Sequence, residues 1–293
     1  METPVADPLA RDDRVLRTTR AVSIVIVPVL TAAFVILFLF PGQTRTLWGW
    51  TIRSRMSCMF MGGGYLAGAL FFYRAARSHE WHRLGPGIIA TTAFAGALGV
   101  ATFLHWDEFN HDHVSFLAWT LLYITTPLLL PLLYVKNRQF DPGTPGPEDV
   151  PIPPWIRTSL TVLGAGQLLF AITLYLRPSL FQDDWPWRLT TISARSLAAF
   201  ASFPAIAYLA FAFERRWSAL RWPFETAIAG LTLIGIGALR SSGDFKGGTQ
   251  SVLWRVGLVI GLAFLVTVWL TMRRQVQLAS AHARGGAGGD EGG

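Results

Sequence analysis

The sequence predicts an all-α membrane protein with eight transmembrane helices as two parallel four-helix repeats. Three observations lead there. Eight apolar runs of 17 to 22 residues punctuate the chain, each able to cross a hydrocarbon core of about 30 Å. Hydrophobic residues fill 52% of the 293 positions and charged residues only 15%, too apolar a balance for one water-soluble core. Residues near the ends of the runs also recur at an offset of about 137.

Taken in order, residues 1–13 are polar and lack apolar periodicity, so they read as a disordered tail. Arg14, Arg17 and Arg20 then lead into the uncharged run 21–40, which ends in Phe-Leu-Phe-Pro rather than a small-residue cleavage site and reads as a retained span. Runs 56–73, 86–104 and 114–135 complete a first membrane repeat over residues 14–135. Residues 136–156, rich in Pro and charge, read as a cytoplasmic linker. Runs 158–176, 196–213, 223–239 and 256–272 form a second repeat over 157–275, followed by a Gly-rich tail, 276–293, that reads as disordered. No water reaches the hydrocarbon core, so each run must satisfy its own backbone as a helix.

The net charge of +7 would suggest a nucleic-acid partner in a soluble protein. Here the basic residues are dispersed among short loops, which points to the lipid bilayer as partner and to no nucleic acid. Placing the N-terminus inside puts 16 of the 25 basic residues on the inner side and 9 outside, predicting cytoplasmic termini. Only Lys136 and Lys246 are lysines, and Ala and Gly are plentiful, which favours a GC-rich bacterial genome and hence a bacterial inner membrane. Cys58, the single cysteine, excludes an intramolecular disulfide. Tryptophans 48, 50, 81, 106, 155, 185, 187, 217 and 222 fall near run ends, where indoles anchor at head-group depth.

The repeat rests on ordered coincidences. At one offset Pro41 meets Pro178, Trp48 and Trp50 meet Trp185 and Trp187, and Pro86 meets Pro223. Nearby offsets bring Arg55 onto Arg195, Glu108 and Phe109 onto Asp244 and Phe245, and Ser115 onto Ser251. Halves with an even number of spans enter the bilayer the same way round, giving a parallel repeat. Gly62, Gly63, Gly64 and Gly68, with Gly257 and Gly261, supply small faces for close helix approach. Pro28, Pro127, Pro131 and Pro204 lie inside runs and are expected to bend them.

The densest chemistry is LHWDEFNHDH, 104–113, with three histidines, two aspartates and one glutamate. His105, His111 and His113 are candidate metal or haem ligands, although their spacing matches no standard site. Asp107 and Glu108, at the membrane edge beside Trp106 and Phe109, are candidate general acids. Arg55 and Arg195 begin matched spans; each either snorkels to water, pairs with Asp107, Glu108 or Asp244 across an outer vestibule that also holds His105, or captures an anionic lipid head group or carboxylate. Asp183 and Asp184 fall on the same outer side. Glu214 beside Arg215 and Arg216 reads as an ion pair, Glu225 as a bond to a neighbouring helix, and Gln167 as a further polar group within a span. No P-loop, GxGxxG, HExxH, CxxC or GxSxG pattern is present, which argues against the familiar nucleotide, zincin, thiol and serine-hydrolase chemistries.

The LxWxW-type loops at Leu47, Trp48, Trp50, Trp185 and Trp187, the Arg at 195, and the H-x-D-x-F of His105, Asp107 and Phe109 resemble a group of actinobacterial eight-span integral membrane proteins. Each half also loosely resembles DoxX-like four-helix membrane families. These resemblances imply a membrane fold and carry no activity. The leading expectation is binding or passage of a small amphipathic or lipid-like molecule, or scaffolding of a membrane partner. The alternatives are a lipid- or isoprenoid-modifying enzyme using Asp107 or Glu108, and a metal or haem protein using His105, His111 and His113. The sequence names neither a cofactor nor a protein partner.

Overall fold

The computed structural model describes residues 11–146 and 149–287. Among them are eight helices long and apolar enough to cross a membrane. They are α1 (Arg17–Leu39), α2 (Arg55–Arg77), α3 (Gly85–Leu104), α4 (Val114–Arg138), α5 (Pro154–Leu176), α6 (Thr191–Ala212), α7 (Trp217–Arg240) and α8 (Gly248–Ala287). No β-strand occurs among the described residues, only isolated bridges joining Arg14 to Glu80 and Trp187 to Phe245.

Every helix covers its apolar run to within one residue and most extend beyond it, because hydropathy marks the hydrocarbon while capping chemistry sets the ends. The Ser54 side chain accepts from Ser57 N to open α2, Thr190 accepts from Ser193 N to open α6, and Pro154 supplies the preset first turn of α5. The C-terminus differs most from expectation. Helix α8 continues to Ala287, through a Gln-, Leu- and Ala-rich stretch of good helix formers expected to be disordered; residues 288–293 lie outside the described residues. At the other end, residues 11–13 of the expected tail are held in place, while residues 1–10 lie outside the described residues. Asp13 N donates to Phe140 O at 2.9 Å, and Asp13 Oδ1 accepts from His82 N at 2.9 Å.

Helices α2, α3, α6 and α7 form the centre, with α2 packed on α7 and α3 on α6. Outside them, α1 packs on α2, α4 on α3, α5 on α6 and α8 on α7. Small residues permit the closest approaches, as expected for helices in lipid. A Cβ on Gly62 would lie 2.9 Å from Phe38 Cβ on α1, and one on Gly63 would lie 3.0 Å from Leu233 Cβ on α7. Between α3 and α4, a Cβ on Gly99 would lie 2.6 Å from the Tyr123 carbonyl oxygen. That carbonyl has no N–H four residues on, because Pro127 occupies the position, so α3 settles against an exposed acceptor. Gly257 is a different case, with nothing within 4 Å of a Cβ placed there.

Most tryptophans at the run ends face inward, which corrects the expectation of lipid anchors. Trp48, Trp50, Trp81, Trp185, Trp187 and Trp217 are buried, whereas Trp106 and Trp155 are exposed. In the first half, Trp48, Trp50 and Phe109 gather around Trp119, with Trp48 and Trp50 at ring-centroid distances of 5.6 and 4.8 Å from it. In the second, Trp187 meets Trp254 at 5.1 Å and Phe245 at 5.5 Å. Offset and edge contacts between rings add about 0.5–1.5 kcal/mol each beyond burial, which favours this inward packing over the head-group interface.

Candidate functional site

Residues from all eight helices line one cavity of about 480 Å³ near mid-span. No Asp, Glu, Lys, Arg or His is among its lining residues, and rings such as Phe94, Phe200 and Phe203 form much of its wall. The volume falls in the range of about 300–1,000 Å³ that suits a small organic ligand. The lining residues that are exposed, Leu163 and Phe170 on α5 and Leu253 and Gly257 on α8, belong to these two helices alone.

A few hydroxyls and one amide interrupt the apolar wall. Tyr65 and Tyr123, on α2 and α4, place their hydroxyl oxygens 2.8 Å apart, so one donates and the other keeps a proton free of that bond. Gln167 on α5 donates from Nε2 to Ala201 O at 3.0 Å, leaving its carbonyl oxygen without a partner among the described residues. Tyr208 on α6 is only 4% exposed, and its hydroxyl makes no hydrogen bond among the described residues. Thr91, Thr126 and Thr226 donate back to their own helices at 2.8, 2.6 and 2.9 Å, so they offer acceptors only.

Away from the cavity, the loop after α3 brings one part of the expected vestibule together. Buried His105 sits between Glu108 and Arg195: Nδ1 lies 2.6 Å from Glu108 Oε1, and Nε2 lies 2.6 Å from Arg195 Nη1. A guanidinium can only donate, so Nε2 accepts and the proton sits on Nδ1, facing the carboxylate. Arg195 also donates from Nε to Tyr175 O at 3.2 Å, and Tyr175 donates from its hydroxyl to Ala97 O at 2.7 Å. Arg195 thus reaches Glu108 through the imidazole rather than by direct pairing.

The other predicted residues fall elsewhere. Asp244 comes to the start of α2, but to Ser54 Oγ at 2.8 Å and Met56 N at 2.9 Å rather than to Arg55, acting as a helix cap. Arg55 is exposed, with no side-chain bond among the described residues. Asp107 is exposed, and neither it nor Glu108 lines the cavity. His111 Nε2 faces Trp106 O at 3.0 Å, and His113 faces Ser115 Oγ at 2.7 Å and Thr46 O at 2.9 Å. The three histidines therefore point to separate partners, and no group of three or more His, Cys, Asp or Glu residues that could hold a metal occurs among the described residues. Asp183 and Asp184 lie together near α8, with Lys246 Nζ 2.9 Å from Asp183 O and Gln250 Nε2 3.5 Å from Asp184 Oδ1.

Charge concentrates at the opposite end of the bundle. Glu225 Oε2 accepts from Arg74 on α2 at 2.7 Å and Oε1 from Trp269 on α8 at 2.9 Å, joining three helices as expected of an intramembrane acid. Arg216, 6% exposed, binds Asp141 at 2.6 and 3.1 Å and Glu214 Oε2 at 2.7 Å. Burial raises the pKa of both carboxyls, but the hydrogen bonds and charge of Arg216 outweigh it and hold both below the usual carboxylate range. Asp149 Oδ1 accepts from Ser218 N at 2.9 Å at the start of α7, so the linker is docked at both Asp141 and Asp149.

Eight apolar helices around an uncharged mid-span cavity make this a multi-pass integral membrane protein. No family model matches the chain, and neither do any curated protein or solved structure.

Three cavity residues, Tyr65, Tyr123 and Tyr208, escaped notice in the sequence because they carry no charge. The available signal is depth: tyrosines usually collect at span ends, and these fall within apolar runs.

Proposed function

We propose that the protein binds, and passes to or from the bilayer, a small lipid-like molecule that enters the cavity between α5 and α8. The observation carrying this reading is that every exposed lining residue lies on those two helices. Water gains little in so apolar a space, and a hydrocarbon chain loses nothing on moving there from lipid. The distance of Asp107 and Glu108 from this space favours binding over acid catalysis.

A bacterial inner membrane is supported by the scarcity of lysine and the abundance of Ala and Gly, and cytoplasmic termini by the distribution of Arg and Lys. Its halves are read as a parallel repeat, like the actinobacterial and DoxX-like patterns it resembles. That reading draws support from reciprocal contacts: the loop after α3 reaches the start of α6 through His105, and the loop after α7 reaches the start of α2 through Asp244.

Native mass spectrometry of protein extracted in mild detergent tests the binding reading. Wild type carries a small apolar adduct, and Gly257→Phe, whose ring enters open space in the cavity wall, loses it. A bare wild-type protein, or an adduct retained by the variant, contradicts the reading.

A further inference from the structure

We infer that the cavity ligand is a neutral lipid whose polar end is an uncharged acceptor oxygen, a carbonyl or hydroxyl, held by the phenol of Tyr208. This rests on the cavity being a ligand site. Three features of the wall carry it. The first is electrostatic: no lining residue is ionisable as an acid, His, Lys or Arg, so a carboxylate or phosphate head would lie without a counter-charge in a low-dielectric space, at a cost of several kcal/mol. A fatty-acid anion or a phospholipid head therefore does not suit this site.

The second is the surplus of donors. Tyr208 is buried, lines the cavity and spends its hydroxyl on no protein group among the described residues. Two phenols 2.8 Å apart use one proton between them, so the Tyr65–Tyr123 pair presents a second donor. A buried donor without an acceptor is costly, and a ligand oxygen placed at Tyr208 removes that cost. The third is the Gln167 carbonyl oxygen, whose amide is fixed by Ala201 O. It leaves one acceptor for a ligand hydroxyl, so an alcohol is admitted alongside an aldehyde or ketone, whereas a pure hydrocarbon leaves every polar group unmet.

Binding of four matched probes, farnesal, farnesol, farnesane and ionised farnesoic acid, to the full-length protein in detergent tests this by equilibrium dialysis. Farnesal and farnesol bind more tightly than farnesane, and farnesoate binds most weakly. Tyr208→Phe weakens farnesal and farnesol by about two- to ten-fold, the worth of one net hydrogen bond, and leaves farnesane unchanged. Equal affinity for farnesal and farnesane, or no effect of Tyr208→Phe on farnesal, overturns the assignment of the polar end. If Gly257→Phe still abolishes binding of all the probes in that case, the cavity reading survives alone. If no probe binds wild type, or Gly257→Phe changes nothing, the cavity reading falls as well.

Discussion

The outer helices of the two halves differ. In the first half, α1 and α4 touch each other, and each buries 33% of its apolar window. In the second, no comparable contact joins α5 to α8, and they bury only 22% and 17%. The central helices pair in the same manner on both sides, so the difference is confined to one seam. The first seam is bridged by helix contact; the second has no comparable contact, and in the proposed reading that is where a ligand would enter, the arrangement expected where function competes with packing.

The largest effects should come from breaking close packing. Gly99→Ala puts a methyl against the Tyr123 carbonyl, and Gly164→Ala puts one 2.7 Å from Ala205 O. Backbone cannot yield as a side chain can, so each variant should lose about 1–3 kcal/mol, read as a lower unfolding temperature in detergent. Gly257→Ala, on α8 at the open seam, should change the unfolding temperature little; an equal loss there would contradict the open character of that seam.

Next in size is the clamp at His105. Arg195→Leu strips a buried imidazole of its donor and frees Tyr175 O, at a cost of about 1–3 kcal/mol. Arg45→Leu, at an exposed site, should be near neutral. Equal shifts in unfolding temperature would remove any role for the clamp in joining α3 to α6. Asp244→Ala should cost about 1 kcal/mol through the lost cap on α2, an effect that Asn at the same position largely restores.

The smallest effect is one of pH. Asp141 and Glu214 titrate below their ordinary range in the folded protein, so their stabilisation is complete above that range. It is lost as pH falls below about 4, through the ordinary values toward the depressed folded ones. Unfolding temperature in detergent should fall over that interval in wild type and fall less steeply in Arg216→Gln; parallel curves would contradict the pairing.

The helices were legible because lipid imposes length and apolarity on each span, a strong signal in single residues. The clamp was half legible: His105, Glu108 and Arg195 stood out as polar groups at span ends, but the imidazole's place between the other two depends on how α3 meets α6. Arg55 and Asp244 show the same limit, since they lie close along the fold while the carboxylate takes backbone and Ser54 instead. The tryptophans misled because anchoring and inward packing place indoles at the same depth. The cavity was hidden because it is made of ordinary Phe, Tyr, Gly and Leu, whose convergence from eight helices leaves no trace in any one of them.

The most direct test of the open seam is photolabelling of the protein in liposomes with a diazirine-bearing farnesyl ether, followed by peptide mapping. Adducts should concentrate on 163–170 of α5, 253–261 of α8 and the cavity face of α6 around Tyr208, and Gly257→Phe should suppress them. Labelling spread equally over the exposed faces of α1 and α4, or unchanged in that variant, would contradict a lateral entrance between α5 and α8.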